Sequence, residues 1–378
     1  MFRSYYPFLA LLLSKGAGPG ACRKLWECAG ASLEGAFYKL KSPRGRREIS
    51  ILLGTAIGST RWGEFERQIE KIESSGAGVV CFSDAAYPRY LRDIQDPPPI
   101  LFYGGDLKSL DKRGVAIVGT RKPSPRGTAF ARNLARDLSQ LGIMVVSGLA
   151  RGIDAAAHEG SLEGDGPAVG IIGTGLDVCY PAENRWLMNQ IASRGCIVTE
   201  QLMRMIPQSH VFPLRNRLIS AVSKIVVVVE AGQKSGARIT ARWALEQGRE
   251  VGAVPGFPGD FRSRGVNSLL KSGAVLVESA EDILQAVPLL RENITAEDHR
   301  MGAAPAKVRN GMAKNDGAPE STRPEISEVL TALSSHPIDP DTLAAHLGKD
   351  VALIQSILFE LEMNGEVGRD LAGCYFKR

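Results

Sequence analysis

Between residues 76 and 290 the chain alternates short β-branched runs with stretches of helical period. The runs are Val79 to Phe82, Val115 to Val118, Met144 to Val146, Val169 to Ile172, Ile197 to Thr199, Ile225 to Val229, Val251 to Val254 and Val275 to Val277. Alternation at this spacing predicts an α/β fold, a Rossmann-like, doubly wound and mostly parallel sheet with helices on both faces. Gly170-Ile171-Ile172 and Ile225-Val226-Val227-Val228-Val229 are apolar at successive positions. Only strands covered on both faces read that way, so both are expected at the sheet's centre.

The flanks follow other periods. Residues 1–75 read as a small helical domain: Leu9 to Ser14, Cys22 to Cys28 and an amphipathic stretch from Trp62 to Ser74. Gly16-Ala17-Gly18, between the first two, reads either as a helix-hairpin-helix turn able to grip a phosphate or as a plain glycine turn in a helical bundle. The sheet region then runs over 76–292. Residues 293–322 are poor in large apolar side chains and predict a flexible linker. In 323–378, helical stretches at Glu325 to Leu333, Asp341 to Leu347 and Val351 to Asn364 precede a hairpin from Gly365 to Phe376, a winged-helix pattern. Asp339 and Asp341 stand near the start of its second helix, and Asp350 is expected to cap the third.

Composition narrows the class. The chain has 378 residues, 44% hydrophobic and 23% charged, which excludes a fibrous or wholly disordered protein. Its net charge of +5 permits an anionic partner. Lys and Arg exceed Asp and Glu by 12 to 7 in residues 1–75 and by 25 to 21 in 76–292, but stand at 5 to 9 in 323–378. The acidic winged helix has the wrong sign for docking on DNA phosphate, so a protein-contact, regulatory or spacer role is expected of it. Six cysteines without C-x-x-C or zinc spacing read as thiols in a reducing compartment. A cytoplasmic location follows. The apolar run Phe8 to Leu13 behind Arg3 imitates a signal peptide, but Pro7 interrupts it and no small-x-small cleavage site follows. No run reaches the length of a membrane span.

Candidate chemistry lies in the loops that follow the strands. The first strand leads into Gly119-Thr120-Arg121-Lys122-Pro123-Ser124-Pro125-Arg126-Gly127, with a helix expected from about Thr128. A strand, a glycine turn and a helix N-terminus offer backbone N–H groups to a phosphate, and Arg121, Lys122 and Arg126 supply counter-charge. The alternative is an ordinary βα loop with solvated basic residues. No G-K-[ST] follows, which excludes a Walker A loop. The second loop holds Gly148, Arg151 and Gly152, out of register for a nicotinamide fingerprint, so no cofactor is expected. Asp154 and His158 share a helix face without further metal-ligating neighbours. We therefore read Asp154 as a cap that orients Arg151, and His158 as a packed or hydrogen-bonded side chain, with no metal.

A third glycine loop, Gly173-Thr174-Gly175, leads to Tyr180-Pro181. Phe212, with Arg215, Asn216 and Arg217, predicts a stacking platform beside phosphate contacts, or else a helix start with surface charge. After the strongest strand, Lys234, Ser235, Gly236 and Thr240 repeat the strand–turn–helix anion pattern. Ligands collect outside the carboxyl ends of such strands, so these loops are expected to form one site. No catalytic residue is assigned: no Ser-His-Asp order or paired-carboxylate pattern is evident, and Glu230, the one carboxylate at a strand end among these loops, is a candidate for ribose contact or catalysis.

Together these motifs resemble the DprA family, also called Smf or DNA-processing protein A. The likeness runs through Tyr87-Pro88, Pro97-Pro98, Val115 to Arg121, Ser147 to Asp154 with His158, Gly173-Thr174-Gly175, Tyr180-Pro181, Phe212-Pro213, Arg215-Asn216-Arg217, Ser235-Gly236, Thr240-Ala241 and Pro255-Gly256. It implies a Rossmann-like domain that binds single-stranded DNA, forms a homodimer and loads the RecA recombinase during natural transformation. It also implies an N-terminal domain of sterile-alpha-motif-like form and a C-terminal winged helix. Carried over, Gly119, Thr120 and Arg121 match the family's phosphate loop, and Arg215, Asn216 and Arg217 its second basic motif, with Phe212 as the stacking face. Arg126-Gly127 stands where the family commonly has Tyr-Gly, and before Phe212 only Arg204 and His210 are basic. Leu269 and Leu270 are dimer candidates. The implied function is a non-enzymatic recombination mediator. The alternative is a nucleotide-hydrolysing enzyme like the nucleoside-monophosphate phosphoribohydrolases, whose P-G-G-x-G-T loop is replaced here by Ala231 to Gly236.

Overall fold

The computed structural model describes residues 2–29, 33–291, 329, 332–333, 338–349, 351–363, 367–369 and 375–377. They belong to two compact units, Met1–Ala304 and Pro305–Arg378.

The first unit holds a nine-stranded sheet: β1 (Gly78–Cys81), β2 (Ile100–Gly105), β3 (Gly114–Val118), β4 (Met144–Ser147), β5 (Ala168–Ile171), β6 (Cys196–Thr199), β7 (Ser223–Val228), β8 (Glu250–Ala253) and β9 (Val275–Leu276). Its order is β1-β2-β6-β5-β4-β3-β7-β8-β9. The strands from β6 to β9 pair in parallel, and β2 joins β6 antiparallel with β1 outside it. From β3 the chain winds outward through β4, β5 and β6, then returns to place β7 on the other side of β3. The direction of winding reverses between β3 and β7, and crevices in open α/β sheets form at such points.

Strand β3 shows why these residues make a double-wound sheet. Val115 and Ile117 pack into one apolar layer, with Ala131, Leu134 and Leu138 of α7 (Pro125–Gln140) and Ala156 of α8 (Ile153–Glu163). Ala116 and Val118 face the opposite layer, with Leu218 and Ile219 of α10 (Val211–Ala221) and Ala237, Ala241 and Ala244 of α11 (Gly236–Glu246). Successive strand side chains point to opposite faces, so a β-branched run serves both layers. The apolar runs at β5 and β7 lie inside the sheet.

Strand β2 falls outside the eight runs read from the sequence. The triple proline Pro97-Pro98-Pro99 before it and Gly104-Gly105 at its end mask an apolar segment, Ile100-Leu101-Phe102, that is fully buried.

Five N-terminal helices, α1 (Tyr6–Leu12), α2 (Pro19–Ala29), α3 (Leu33–Leu40), α4 (Pro43–Leu53) and α5 (Trp62–Ser75), build an aromatic-rich core that continues onto Cys81, Ile100 and Phe102 of the sheet's edge. Gln68 of α5 exchanges hydrogen bonds with the backbone of Met203, at 2.9 and 3.0 Å. The Gly16 turn faces inward: Ala17 N–H donates to Ser14 O at 3.3 Å, and a Cβ on Gly16 would lie 2.5 Å from Ala56 O. Its geometry is that of a bundle turn packed against its own chain.

In the second unit, α14 (Pro340–Leu347) and α15 (Val351–Met363) precede a hairpin of β10 (Val367–Arg369) and β11 (Tyr375–Lys377). Asp339 caps α14, accepting from Thr342 N–H at 2.9 Å. Leu343, Ile354, Leu358, Val367 and Tyr375 share its core. The linker expected over 293–322, most of the helix from Glu325, and Asp350 lie outside the described residues.

Candidate nucleic-acid interface

The loop after β3 folds around one carboxylate. Thr120 N–H donates to Glu230 O at 2.7 Å, and Ser124 reaches the Glu230 carboxylate through its N–H at 2.8 Å and its hydroxyl at 2.5 Å. Ser124 also caps α7 by accepting from Gly127 N–H at 3.0 Å, so the helix begins three residues earlier than the sequence led us to expect. Gly127 is buried, and a Cβ there would sit 2.5 Å from the Glu230 carboxyl carbon. Glu230 is thus a brace for the loop, and the ribose or catalytic role considered for it is withdrawn. Several loop amides that were expected to hold phosphate satisfy the protein instead. Arg121 and Lys122 are exposed.

The second loop brings a buried acid and a buried base near each other. Asp154 accepts from the N–H groups of Gly148 at 3.1 Å and Ala150 at 3.4 Å and lies beside Arg215. Arg215 donates to Gly148 O at 2.8 Å and to Ile171 O. Gly148 must lack a side chain, because a Cβ would stand 2.7 Å from the Arg215 guanidinium. Burial lowers the Arg215 pKa to about 10, so it keeps its charge at neutral pH. Burial raises the Asp154 carboxyl, with Arg215 opposing. Arg215 is thus held by backbone carbonyls and Asp154 by backbone amides, whereas Arg151, the partner first assigned to Asp154, forms an exposed two-toothed pair with Glu183 at 2.7 and 2.9 Å. His158 is wholly buried and its pKa is lowered to about 3, so it is neutral packing.

Helix α10 begins at Val211, so Phe212 and the Arg-Asn-Arg motif all lie on it. Two residues apart on an α-helix is more than half a turn around the axis, so Arg215 and Arg217 cannot share a face. Arg215 lines the cleft with Phe212 and Asn216. Arg217 points away and pairs with Glu200 at 2.6 Å, which corrects its assignment to the same groove. Phe212 lies 5.8 Å from Tyr180, ring to ring, and the Arg121 guanidinium lies 5.3 Å from its centroid. After β7, Ser235 caps α11 by accepting from Ala237 N–H at 3.3 Å, while Lys234 and Gly236 are exposed at the helix start.

These pieces form one cleft of about 700 Å³ between β3 and β7, at the carboxyl ends of the strands. Gly119, Thr120, Arg121, Phe212, Arg215, Asn216, Lys234, Ser235, Gly236 and Thr240 line it. Gly148 and Arg151 line a small recess that shares Arg121, Phe212 and Arg215 with it. Lys122, Arg126, Gly127, Gly152 and Arg217 line neither. Gly152 serves the fold: its φ is +77°, and a Cβ would lie 2.5 Å from Thr120 O. The cleft also takes in Tyr180 and Phe261, which were not selected from the sequence as site residues. Phe261 is 64% exposed, and its signal was the alternation of aromatic and turn residues in Phe257-Pro258-Gly259-Asp260-Phe261. Three cations face one acid there, Arg121, Arg215 and Lys234 against Asp154. Leu269 and Leu270 are half-buried against the core below α12 (Arg264–Lys271). Among the described residues, no three or more His, Cys, Asp or Glu side chains are grouped to hold a metal.

A doubly wound sheet with a cationic, aromatic cleft at its switch point places the chain in the Rossmann-like class. Comparison with known proteins narrows the class. Residues 78–288 match the family model described as DNA recombination-mediator protein A, and residues 313–372 match the DprA winged helix domain. The chain is 35% identical to Protein Smf of Synechocystis over 82% of each chain. It is 40% identical to DNA processing protein DprA of Bacillus subtilis over 59% of this chain and 75% of that one. Among solved structures, DprA of Streptococcus pneumoniae superposes with a TM-score of 0.61 at 31% identity, covering 75% of this chain and 98% of that one. The Helicobacter pylori protein, whose structure is described as giving insight into a unique single-stranded DNA binding mode, superposes at 0.52 and 31%, covering 57% and 96%. The chain belongs to the DNA recombination-mediator protein A family, DprA or Smf.

Proposed function

We propose that the chain is a recombination mediator that binds single-stranded DNA in the cleft between β3 and β7. The observation that carries this reading is the surrounding of Phe212 by Arg121, Arg215 and Tyr180, with Lys234 across the cleft. Cations that follow a phosphate backbone beside rings that stack bases bind strands of any sequence, and a duplex keeps its bases out of reach of such rings. Within the chain, residues 76–292 are the strand-binding part. Family membership supports the further roles: protecting incoming DNA and loading it with the RecA recombinase during natural transformation, a homodimer through the Rossmann-like part, and work in the cytoplasm. Among the described residues, no helix is long and apolar enough to cross a membrane.

A non-enzymatic role is favoured over nucleotide hydrolysis by the state of the nearby acids. Asp154 is engaged by two amides and Glu230 by Ser124, so neither is poised to activate a water. The test is titration of the full chain with matched single-stranded and duplex oligonucleotides at several salt concentrations, with nucleotide hydrolysis assayed on the same samples. Preference for the single strand, weakening with salt, supports the mediator. Equal or absent binding together with turnover supports the enzyme.

A further inference from the structure

Arg217, turned away from the cleft, faces a second cavity of about 480 Å³, a volume usual for a small-molecule site. The cavity lies near the amino ends of β7 and β8, and Tyr90, Arg217, Lys224, Trp243 and Arg249 line it. Arg217 has a side chain only 6% exposed. One of its nitrogens donates to Glu200 at 2.6 Å, and its Nη1 is buried without a partner. Arg249 donates to Ala221 O at 3.2 Å through Nη2, and its Nε is likewise buried without a partner. Of the four buried side-chain nitrogens without partners among the described residues, two therefore belong to side chains that line one cavity. A desolvated guanidinium N–H without an acceptor costs free energy, and an anionic oxygen is the acceptor that best relieves it.

The remaining walls specify the ligand further. Lys224 Nζ lies 4.6 Å from the centre of the Tyr90 ring, which places a third cation beside the two arginines. Trp243 is half-buried and held by a hydrogen bond of 3.3 Å from its Nε1 to Pro213 O, so it presents a fixed flat wall. Asp93, Asp96 and Glu246 also line the cavity, and Glu200 takes up the charge of Arg217. Asp96 also stands 3.9 Å from Arg217 Nε, so the three cations are matched by three acids on the lining, a balance that disfavours a long polyanion.

We infer that this cavity is a second ligand site, for a nucleoside monophosphate. Its phosphomonoester accepts from Arg217, Lys224 and Arg249, and its base lies along Trp243. Such a group comes either from a free nucleotide or from the phosphorylated end of a DNA strand. The inference stands apart from the reading of the first cleft.

Calorimetric titration of the full chain with dTMP, thymidine and inorganic phosphate tests it. The expected result is binding of dTMP but not thymidine, weakened about tenfold or more by Lys224→Gln and by Arg249→Gln, and unchanged by Arg121→Ala. Should either glutamine variant fail to fold, quenching of fluorescence by dTMP that is lost in Trp243→Phe reads the same site. Displacement of dTMP by a 5′-phosphorylated but not a 5′-hydroxyl oligothymidylate assigns the site to strand ends, and displacement by neither assigns it to free nucleotide. Absence of dTMP binding at millimolar concentration overturns the inference. So does loss of binding in Arg121→Ala alone, which places the nucleotide in the first cleft.

Discussion

The Arg121 guanidinium lies 5.3 Å from the centroid of the Phe212 ring, joining the loop after β3 to the first turn of α10. A cation over an aromatic face is attracted to it, so the contact holds the exposed arginine at the mouth of the cleft. Tyr180 lies on the same phenylalanine, 5.8 Å away. Phe212 therefore organises the charge and the second ring as well as offering a surface of its own.

Arg121→Ala is expected to weaken single-strand binding and to lower the slope of log affinity against log salt by about one, the signature of one lost phosphate contact. Titrations across a salt series measure it. An unchanged slope would place Arg121 outside the backbone path.

Phe261, on the far rim and 64% exposed, is expected to stack a base. Phe261→Ala should cost about 1–3 kcal/mol of strand affinity and leave the denaturation midpoint where it was. Paired affinity and urea measurements on one preparation separate the two effects.

Arg217→Ala is expected to act in the opposite sense to Arg121→Ala. It strips Glu200 of its partner in a pair whose side chains are 6% and 12% exposed, and breaking such a pair costs about 3–5 kcal/mol of stability. Single-strand affinity of the folded fraction should be retained. Gly148→Ala should lose both, because its Cβ would press on the Arg215 guanidinium; overpacking of this kind costs about 1–3 kcal/mol. Urea denaturation checks both variants.

Acid should destabilise the chain through His158. Its folded pKa is lowered to about 3 from 6.5, so below pH 6.5 the unfolded chain takes up a proton that the folded one refuses. Stability then falls as pH falls, by about 2 kcal/mol between pH 7 and 5 from this residue. Asp154 and Glu200 have folded pKa values raised by burial and work the other way in the acid range, favouring the folded state as pH drops. His158→Gln isolates the histidine: the loss of stability from pH 7 to 5 should shrink in that variant.

The sheet was legible in the sequence because buried parallel strands write themselves as unbroken apolar runs, as Ile225 to Val229 does. Strand β2 was not, since prolines and glycines at its ends read as a loop. The cleft's basic and aromatic residues were legible where a strand leads through a glycine into a helix, as at Gly119-Thr120-Arg121 and Lys234-Ser235-Gly236. Arg217 misled because adjacency in sequence hides the phase of a helix; Arg215 and Arg217 separate only once α10 is seen to start at Val211. Glu230 misled for a related reason. A carboxylate at a strand end looks available until the distant Ser124 is found bonded to it.

Photo-crosslinking tests the central claim most directly. A single strand carrying 5-iodouracil at each position in turn would be irradiated on the full chain and the adducts mapped by mass spectrometry. Adducts on Phe212, Tyr180 or Phe261, reduced in Arg121→Ala, are the predicted result. Adducts confined to the N-terminal helices or to residues 323–378 would contradict it.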